Sequence, residues 1–299
     1  MPMKRDAKER IVDWLLVALM VLPFVLSMTL KVLLKPAGEG ISITGAQVYF
    51  TIPMPVMDLP ITESQVNSLM VVLSILGLCL YLTHGISVAP HSKRQIVAEW
   101  IVEKVQNLVN SNMGAYFSAF APFIAGIMFI SAFSSLSSLL GLFPPTSDMN
   151  IVAGWAILVF VLITYYKLKG GLLPYVKGFF EPVFIFAPFN IIGEVATPVS
   201  MSFRHYGNVL SGMVISTLVA YALQTLSHKL LGWLPGVLGQ FPFLQVGLPA
   251  ILSLYFDIFS GLMQAFIFAL LTTIYISTGF PQEEYERRKA KRKKALHTA

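Results

Sequence analysis

The sequence predicts an all-α integral membrane protein with about six membrane-inserted helices, two of them long and steeply tilted near the C-terminus, plus one amphipathic surface helix. Hydrophobic residues make up 56 % of the 299 residues and charged residues only 12 %, whereas soluble domains carry about 25 % charged residues. The apolar residues form long runs, and the basic residues gather beside those runs. This pattern is typical of a helical membrane protein.

The first apolar run, residues 11–34, is too long for a secretory signal, and we interpret it as an N-terminal transmembrane anchor. Further spans are predicted at residues 66–83, 116–142 and 151–166. Between the first two of these, apolar residues repeat at helical spacing, which predicts a helix lying in the membrane surface. The repeating residues are Val97, Trp100, Ile101, Val105 and Leu108.

Two longer apolar blocks follow, at residues 190–231 and about 246–280. A helix of about 40 residues is roughly 60 Å long, twice the roughly 30 Å hydrocarbon core. Such a helix must tilt, bend or break, and a steep tilt would lay its side against a partner with a curved surface. The alternative is that Pro198, or Gly207 with Gly212, divides the first block into a re-entrant pair.

We predict one membrane domain over residues 1–299, with a core at 50–280 and a basic cytoplasmic tail at 281–299. Most of the 21 Lys and Arg residues lie on one side if both termini are cytoplasmic, as the positive-inside rule requires. The net charge of +6 is therefore explained by basic residues that set the orientation of the chain in the membrane, and we expect no nucleic-acid partner. The single cysteine, Cys79, excludes an internal disulfide. The sequence has no phosphate-binding loop or metal-ligand spacing, so we expect neither cofactor nor metal.

A lone arginine, Arg204, stands within the block 190–231. Arginine at the centre of a membrane helix costs about 2.5–3.5 kcal/mol on translocon scales, so it predicts a functional site. On a helix it forms a polar stripe with three other residues, and two glycines beside the stripe favour close approach of a partner. The stripe is Ser200, Arg204, Asn208 and Ser211, and the glycines are Gly207 and Gly212. A static hydrogen-bonded patch between helices is the alternative.

The last block carries a second pair of polar residues. Asp257 and Gln264 are seven residues apart, which predicts that they share a helix face. Asp257 is interpreted as a proton or cation relay, with a static counter-ion for Arg204 as the alternative. Glu194 is a third candidate, and its alternative is a solvated acid at a helix end. His205 is expected to face other helices, since it lies about 100° around the helix from Arg204.

Two motifs identify a family resemblance. The segment PVSMSFRHYGNVLSG is similar to PxSLxxRLFGNxxAG, and LMQAFIFALLTTIYI is similar to LQAFIFxxLTxxYI, both patterns of subunit a of the F-type ATP synthases. Supporting matches are GLFPP, APFNIIGEVATP and HSKRQ. The chain thus resembles the membrane stator that faces the rotating ring of c subunits, over about residues 50–277.

The resemblance implies that Arg204 faces the carboxylate of each passing c subunit and that two offset aqueous half-channels lead to it. By position, Asn208 and Gln264 match polar neighbours of that arginine. Asp257 occupies the place where members of the family carry His, Glu or Asp in the outer half-channel. Glu194 lies within a turn of an acidic position near the inner half-channel. Met213 stands where several members carry an acid, so the outer path would depend more on Asp257.

The expected function is a non-catalytic, proton-translocating stator subunit that couples ion flow to ring rotation and ATP synthesis. The resemblance implies as partners the c-subunit ring, the b-subunit peripheral stalk and the remainder of the synthase, in a bacterial plasma membrane. Three alternatives stay open from the residues: a self-contained transporter or channel with an Arg/Asp site, a Na⁺-coupled version of the same synthase, and a structural scaffold.

Overall fold

The computed structural model describes most of the chain, and the described part is almost entirely helical. The described residues are 7–34, 45–55, 57–88, 92–181, 183–231, 233, 244, 247–283 and 285–287. The predicted basic tail, 281–299, lies mostly outside them.

The described residues form nine α-helices and one β-hairpin. The helices are α1 (Ala7–Leu34), α2 (Glu63–Thr83), α3 (Lys93–Met113), α4 (Ala121–Leu136), α5 (Met149–Lys169), α6 (Leu172–Phe180), α7 (Ala187–Leu231), α8 (Leu248–Ser253) and α9 (Gly261–Gly279). The hairpin pairs β1 (Val48–Ile52) antiparallel with β2 (Leu59–Thr62). A π-helical segment, Leu254–Ser260, joins α8 to α9, and a 3₁₀ turn, Pro145–Ser147, precedes α5.

Six segments of the described chain are long and apolar enough to cross a membrane, which confirms the all-α integral membrane class. They are Lys8–Leu34, Glu63–Thr83, Tyr116–Leu140, Met149–Lys169, Phe184–Leu230 and Leu248–Gly279. The predicted spans are correct in number and order. The ends differ by only a few residues because polar caps such as Thr62 and Asp148 start helices earlier than the apolar residues do.

Helix α7 is continuous over 45 residues, so the re-entrant alternative is wrong. Pro198 lies inside it and removes only one backbone donor, and Ser202 Oγ donates to the Pro198 carbonyl at 3.0 Å in the same stretch. The helix is about 68 Å long. It therefore fits a hydrocarbon core of about 30 Å only when steeply tilted or with its ends projecting.

The helices form a bundle, and its two ends are marked by different contacts. At one end, which we call the α3 end, the ring of Phe280 after α9 stacks on Tyr116 after α3, with ring centroids 4.9 Å apart. At the other end, which we call the hairpin end, the hairpin leads directly into α2, and the Glu63 N–H donates to the Gln47 carbonyl at 2.8 Å. Helices α4 and α7 run from the α3 end to the hairpin end.

Helix α3 packs against the bundle through Val105, Val109 and Met113, which belong to the hydrophobic core. Of the residues of the predicted apolar face, Val105 is buried against the bundle, whereas Val97 and Trp100 are exposed. The difference arises because the buried apolar residues of α3 all lie in its second half, and α3 packs against α2, α4 and α9. Trp100 is left free to sit among lipid headgroups, where Trp is favoured.

The N-terminal helix α1 is packed closely on α2. A Cβ added at Gly77 would lie 2.8 Å from the backbone N of Met20, so only glycine permits this approach. Ser74 Oγ also donates to the Met20 carbonyl at 2.6 Å. At the α3 end, Arg94 makes a bidentate ion pair with Asp13, with both N–O distances 2.8 Å.

A polar cluster at the hairpin end ties α1 to the turn before α5. Lys31 Nζ lies 3.1 Å from the buried Glu63 carboxylate and donates to the Gly141 carbonyl at 2.7 Å. Glu63 also accepts the Phe143 N–H at 3.2 Å. Burial, together with the nearby Glu63 charge, raises the pKa of Tyr49 to about 12. A buried carboxylate with a cation and a backbone donor satisfies the requirement that buried charges be paired.

Candidate functional site

The predicted polar stripe lies on the free surface of α7. Ser200, Arg204, Asn208 and Ser211 are all exposed, whereas Met201 on another face is buried. The spacing of three and four residues places the four side chains in one row. Within the described chain, the Arg204 guanidinium has no hydrogen bond or ion pair. Within this chain, Arg204 therefore neither belongs to a static hydrogen-bonded patch between helices nor has Asp257 as its counter-ion.

The two glycines predicted beside the stripe differ. Gly207 is partly exposed and has open space where a Cβ would stand. Gly212 is buried, and a Cβ there would lie 2.9 Å from Cδ1 of Phe256. We correct the prediction for Gly212: it packs inside the chain, because a rotation of about 80° from Arg204 carries it off the exposed face.

Asn208 and Gln264 meet across the α7–α9 contact, with Asn208 Nδ2 3.4 Å from Gln264 Oε1. Gln264 is 3 % exposed and Asn208 lies on the exposed stripe. The pair therefore joins the buried interior of the bundle to the surface that carries Arg204.

Asp257 lies in the π-helical segment, half-buried, and accepts a hydrogen bond from Ser253 Oγ on its own helical stretch. The predicted common face with Gln264 assumed an α-helix, and the π-helical turns change that angular relation. Pi-helical segments are frequent at functional sites, and this one packs against α7 and α4. Asp257 stays a candidate residue for ion translocation.

Glu194 is not the solvated acid that the alternative describes. Its carboxylate lies 2.9 Å from Lys167 Nζ and accepts from Tyr175 Oη at 3.1 Å. Its side chain is 10 % exposed. Burial first, and then the hydrogen bond to Glu194, raise the pKa of Tyr175 to about 12. The phenol therefore remains a neutral donor through the physiological pH range.

These three residues line an open cleft of about 560 Å³ at the α3 end, between the end of α5, α6, the start of α7 and the end of α9. Asn190 and Thr197 also line it. Sequence reasoning missed Lys167 and Tyr175 as partners of Glu194. Lys167 was counted only as a topology signal, and no local spacing connects it with a residue on another helix.

His205 faces the interior, as predicted. It is 0 % exposed, and its Nε2 lies 3.2 Å from Ser131 Oγ on α4. The rings of Trp155 and Phe268 contact it edge-on at centroid distances of 6.0 and 5.5 Å. Its neighbour Arg204 is exposed. Adjacent residues of α7 therefore face the interior of the bundle and the free surface of the helix.

The fold and the stripe define a class: a helical membrane protein whose longest described span presents an unpaired cation, Arg204, on an exposed face near its middle. Comparison with known proteins gives the family. The ATP synthase A chain family model matches residues 66–277, and the chain belongs to that family. It is thus a stator subunit of the Fo sector of an F-type ATP synthase and takes part in ion translocation.

Several similar proteins are known by name. ATP synthase subunit a of Bacillus pumilus (strain SAFR-032) is 31 % identical over 236 residues, which cover 73 % of this chain and 93 % of that protein. ATP synthase subunit a of Bacillus subtilis (strain 168) is 31 % identical over 234 residues, with the same coverage of 73 % and 93 %. ATP synthase subunit a, sodium ion specific, of Propionigenium modestum is 26 % identical over 275 residues, covering 81 % and 88 %.

Proposed function

We propose that the chain is the proton-translocating, non-catalytic stator subunit that couples ion flow to rotation of a c-subunit ring and so to ATP synthesis. The observation that carries the proposal is the exposed stripe of α7 with an unpaired Arg204 at its centre. A guanidinium is always charged, so a membrane-embedded surface that displays it requires a partner that supplies anions. The carboxylates of a c-subunit ring meet that requirement one at a time.

The exposure and the length of α7 support a large partner with a curved surface. Only 6 % of an apolar stretch of 18 residues in the span Phe184–Leu230 is buried within the chain, compared with 33 % of a stretch of the same length in the span Tyr116–Leu140. Lipid and a protein ring would share the remaining surface. A steeply tilted helix of this length follows the side of a ring over several c subunits.

Two access routes would lead to Arg204 from opposite sides. The cleft at the α3 end, with Glu194, is the inner route, and the hairpin end, with Asp257, is the outer one. Asn208 and Gln264 stand where a route through the bundle meets the stripe. Arg204 favours the ionised ring carboxylate and repels a proton that would cross directly. One charge crossing 100 mV releases about 2.3 kcal/mol. Because Arg204 blocks a direct crossing, this free energy is not dissipated and can drive rotation of the ring.

The orientation and assembly are part of the proposal. With the α3 end cytoplasmic, both termini lie inside, and Lys93, Lys167 and Lys177 lie on the same side, in keeping with the positive-inside rule. The membrane is the bacterial plasma membrane. The b-subunit peripheral stalk contacts the chain away from the stripe, since a stator must be held while the ring turns.

The test is ATP-driven proton pumping by the reconstituted synthase. Arg204→Gln should abolish pumping while the complex still assembles, because the ring carboxylates lose their fixed counter-charge. Lys229→Gln removes the same charge from an exposed position near the C-terminal end of α7 and should leave pumping intact. Normal pumping by the Arg204→Gln complex would refute the proposal.

Na⁺ coupling is the second candidate, because the Propionigenium modestum relative is named sodium ion specific. Uptake of ²²Na⁺ into liposomes during ATP hydrolysis separates the two. The proton proposal predicts none, and stoichiometric Na⁺ uptake would replace it with the Na⁺-coupled version.

A further inference from the structure

Three serines on one face of α4 are buried in the bundle. Ser131, Ser134 and Ser135 are 0 %, 0 % and 2 % exposed. Ser131 Oγ reaches His205 Nε2 at 3.2 Å, and Ser135 Oγ reaches Thr146 Oγ1 at 3.2 Å. We call Ser131, Ser134, Ser135, Thr146 and Ser147 the hydroxyl row.

These side chains differ from other buried hydroxyls of the bundle. Ser202 on α7 donates to the carbonyls of Pro198 and Val199, and Thr272 on α9 donates to the Phe268 carbonyl. Donation to the same helix is the usual way in which a helical Ser or Thr is satisfied. Ser131 and Ser135 instead contact side chains of other segments.

Several buried polar atoms of the described chain along this row lack a hydrogen-bond partner. They are Ser134 Oγ, Ser147 Oγ, His205 Nδ1 and, beside the turn, Asn67 Oδ1. The four residues are at most 5 % exposed. A buried polar group without a partner is costly, and internal water with two to four polar partners is the common remedy. Two such atoms in the hydroxyl row and two beside it, on His205 and Asn67, point to a file of water molecules.

The row is connected at both ends. At the hairpin end the turn Pro145–Ser147 packs between α2, α4 and α7, and the half-buried Asp148 carboxylate after it accepts from Ser64 Oγ. At the deep end His205 lies close to the Asn208–Gln264 pair: it precedes Asn208 by three residues on α7, and its ring contacts Phe268, one turn beyond Gln264 on α9. Gln264 in turn contacts Asn208 on the exposed stripe.

We propose that the hydroxyl row and His205 line a hydrated proton path from the hairpin end to the Asn208–Gln264 pair, with His205 as the relay at its deep end. This path rests on the proposed function and adds residues to its outer route, for which the family resemblance implies only Asp257. It follows α4 and α7, whereas Asp257 lies on the last span, seven residues before Gln264.

The relay conserves protons and charge. A proton from the Ser131 side binds the free Nε2 of the neutral imidazole, and the proton on Nδ1 leaves toward the Asn208–Gln264 pair. One proton has then entered the ring and one has left. The ring then rotates, so that the protonated Nε2 faces the Asn208–Gln264 pair and the bare Nδ1 faces Ser131. The next proton binds Nδ1 while the proton on Nε2 leaves, which restores the first tautomer. Serine hydroxyls pass protons in the same way, by accepting one hydrogen bond and donating another.

The experiment uses the reconstituted synthase in liposomes, with Cys79→Ser as the background because Cys79 is the exposed native thiol. Pumping is measured for Ser131→Ala, Ser131→Thr and His205→Leu. Ser202→Ala is the matched control, since that serine is equally buried but bonded to its own helix. Ser134→Cys and Ser202→Cys are compared for inhibition by Ag⁺, which reaches thiols through hydrated paths.

Ser131→Ala and His205→Leu should slow pumping about tenfold or more, since a positioned proton-transfer group typically contributes about 10²- to 10⁴-fold. Ser131→Thr keeps the hydroxyl and should pump at near the background rate, as should Ser202→Ala. Ag⁺ should inhibit Ser134→Cys and spare Ser202→Cys. Equal pumping by Ser131→Ala and Ser131→Thr, or Ag⁺ resistance of Ser134→Cys, would overturn the path.

Failure of this path is distinguishable from failure of the proposed function. If Arg204→Gln abolishes pumping while the Ser131 and His205 variants pump normally, the stator function stands and only the path is wrong. If Arg204→Gln pumps normally, the proposed function is wrong.

Discussion

The ion pair between Lys167 and Glu194 gives a quantitative prediction about the inner cleft. Without Glu194, the Lys167 cation would face the cleft uncompensated. A proton passing at roughly 5 Å would meet a repulsion of about 1 kcal/mol in bulk water and about 3 kcal/mol at an effective dielectric constant near 20. The cleft is open, so we expect an intermediate value of about 1.5 kcal/mol, which is close to a tenfold slower flux.

The assay is passive proton flux through Fo in liposomes at a fixed potassium diffusion potential. Glu194→Gln should slow the flux about tenfold. Lys167→Gln combined with Glu194→Gln removes the repelling cation and should restore most of it. Glu181→Gln, an exposed acid at the same end of the bundle, is the matched control and should have no effect.

The double variant decides how Glu194 acts. Recovery of flux means that Glu194 works by neutralising Lys167. A double variant as slow as Glu194→Gln would refute this reasoning and show that the carboxylate itself carries protons. Normal flux through Glu194→Gln would remove the cleft from the route.

Three further predictions concern the surrounding structure. The folded-state pKa of Tyr175 is raised to about 12. Its contribution to stability is therefore complete below the ordinary pKa near 10 and is lost as pH rises through 12. Ultraviolet titration of the phenol should show the raised pKa, and Glu194→Gln should lower the midpoint of that titration. Gly77→Ala should separate α1 from α2 at a cost of about 1–3 kcal/mol, seen as a lower melting temperature, whereas an unchanged melting temperature would contradict the close packing. Lys31→Met leaves Glu63 buried without its cation and should destabilise the chain by about 3 kcal/mol, with rescue by Glu63→Gln; equal stability of the single and double variants would contradict the pairing.

The sequence predicts the spans well because each depends on a local property, a run of apolar residues about as long as the bilayer is thick. The stripe around Arg204 is equally local, since its spacing alone places four residues on one helix face. The effect of Pro198 cannot be predicted from the sequence, because a single proline removes one hydrogen bond but does not decide whether the neighbouring helices hold the turn together.

Contacts between distant residues could not be predicted in this way. Lys167 and Glu194 lie on different helices, and nothing in the spacing of either indicates the other. The same holds for Ser131 and His205. Gly212 was assigned to the stripe by its proximity in sequence, and only the position of Phe256 shows that it packs inward. The π-helical segment changes the angle between Asp257 and Gln264, which a regular helical pattern does not reveal.

The central claim is that the exposed stripe of α7 faces a ring of c subunits. Disulfide crosslinking in the assembled synthase tests it most directly, with single cysteines at Ser200, Asn208 and Ser211 and, as the buried control, at Met201, each paired with a cysteine on the outer helix of the c subunit. The account predicts crosslinks from the three stripe positions and none from Met201. Crosslinks from Met201 alone, or from none of the stripe positions, would contradict it.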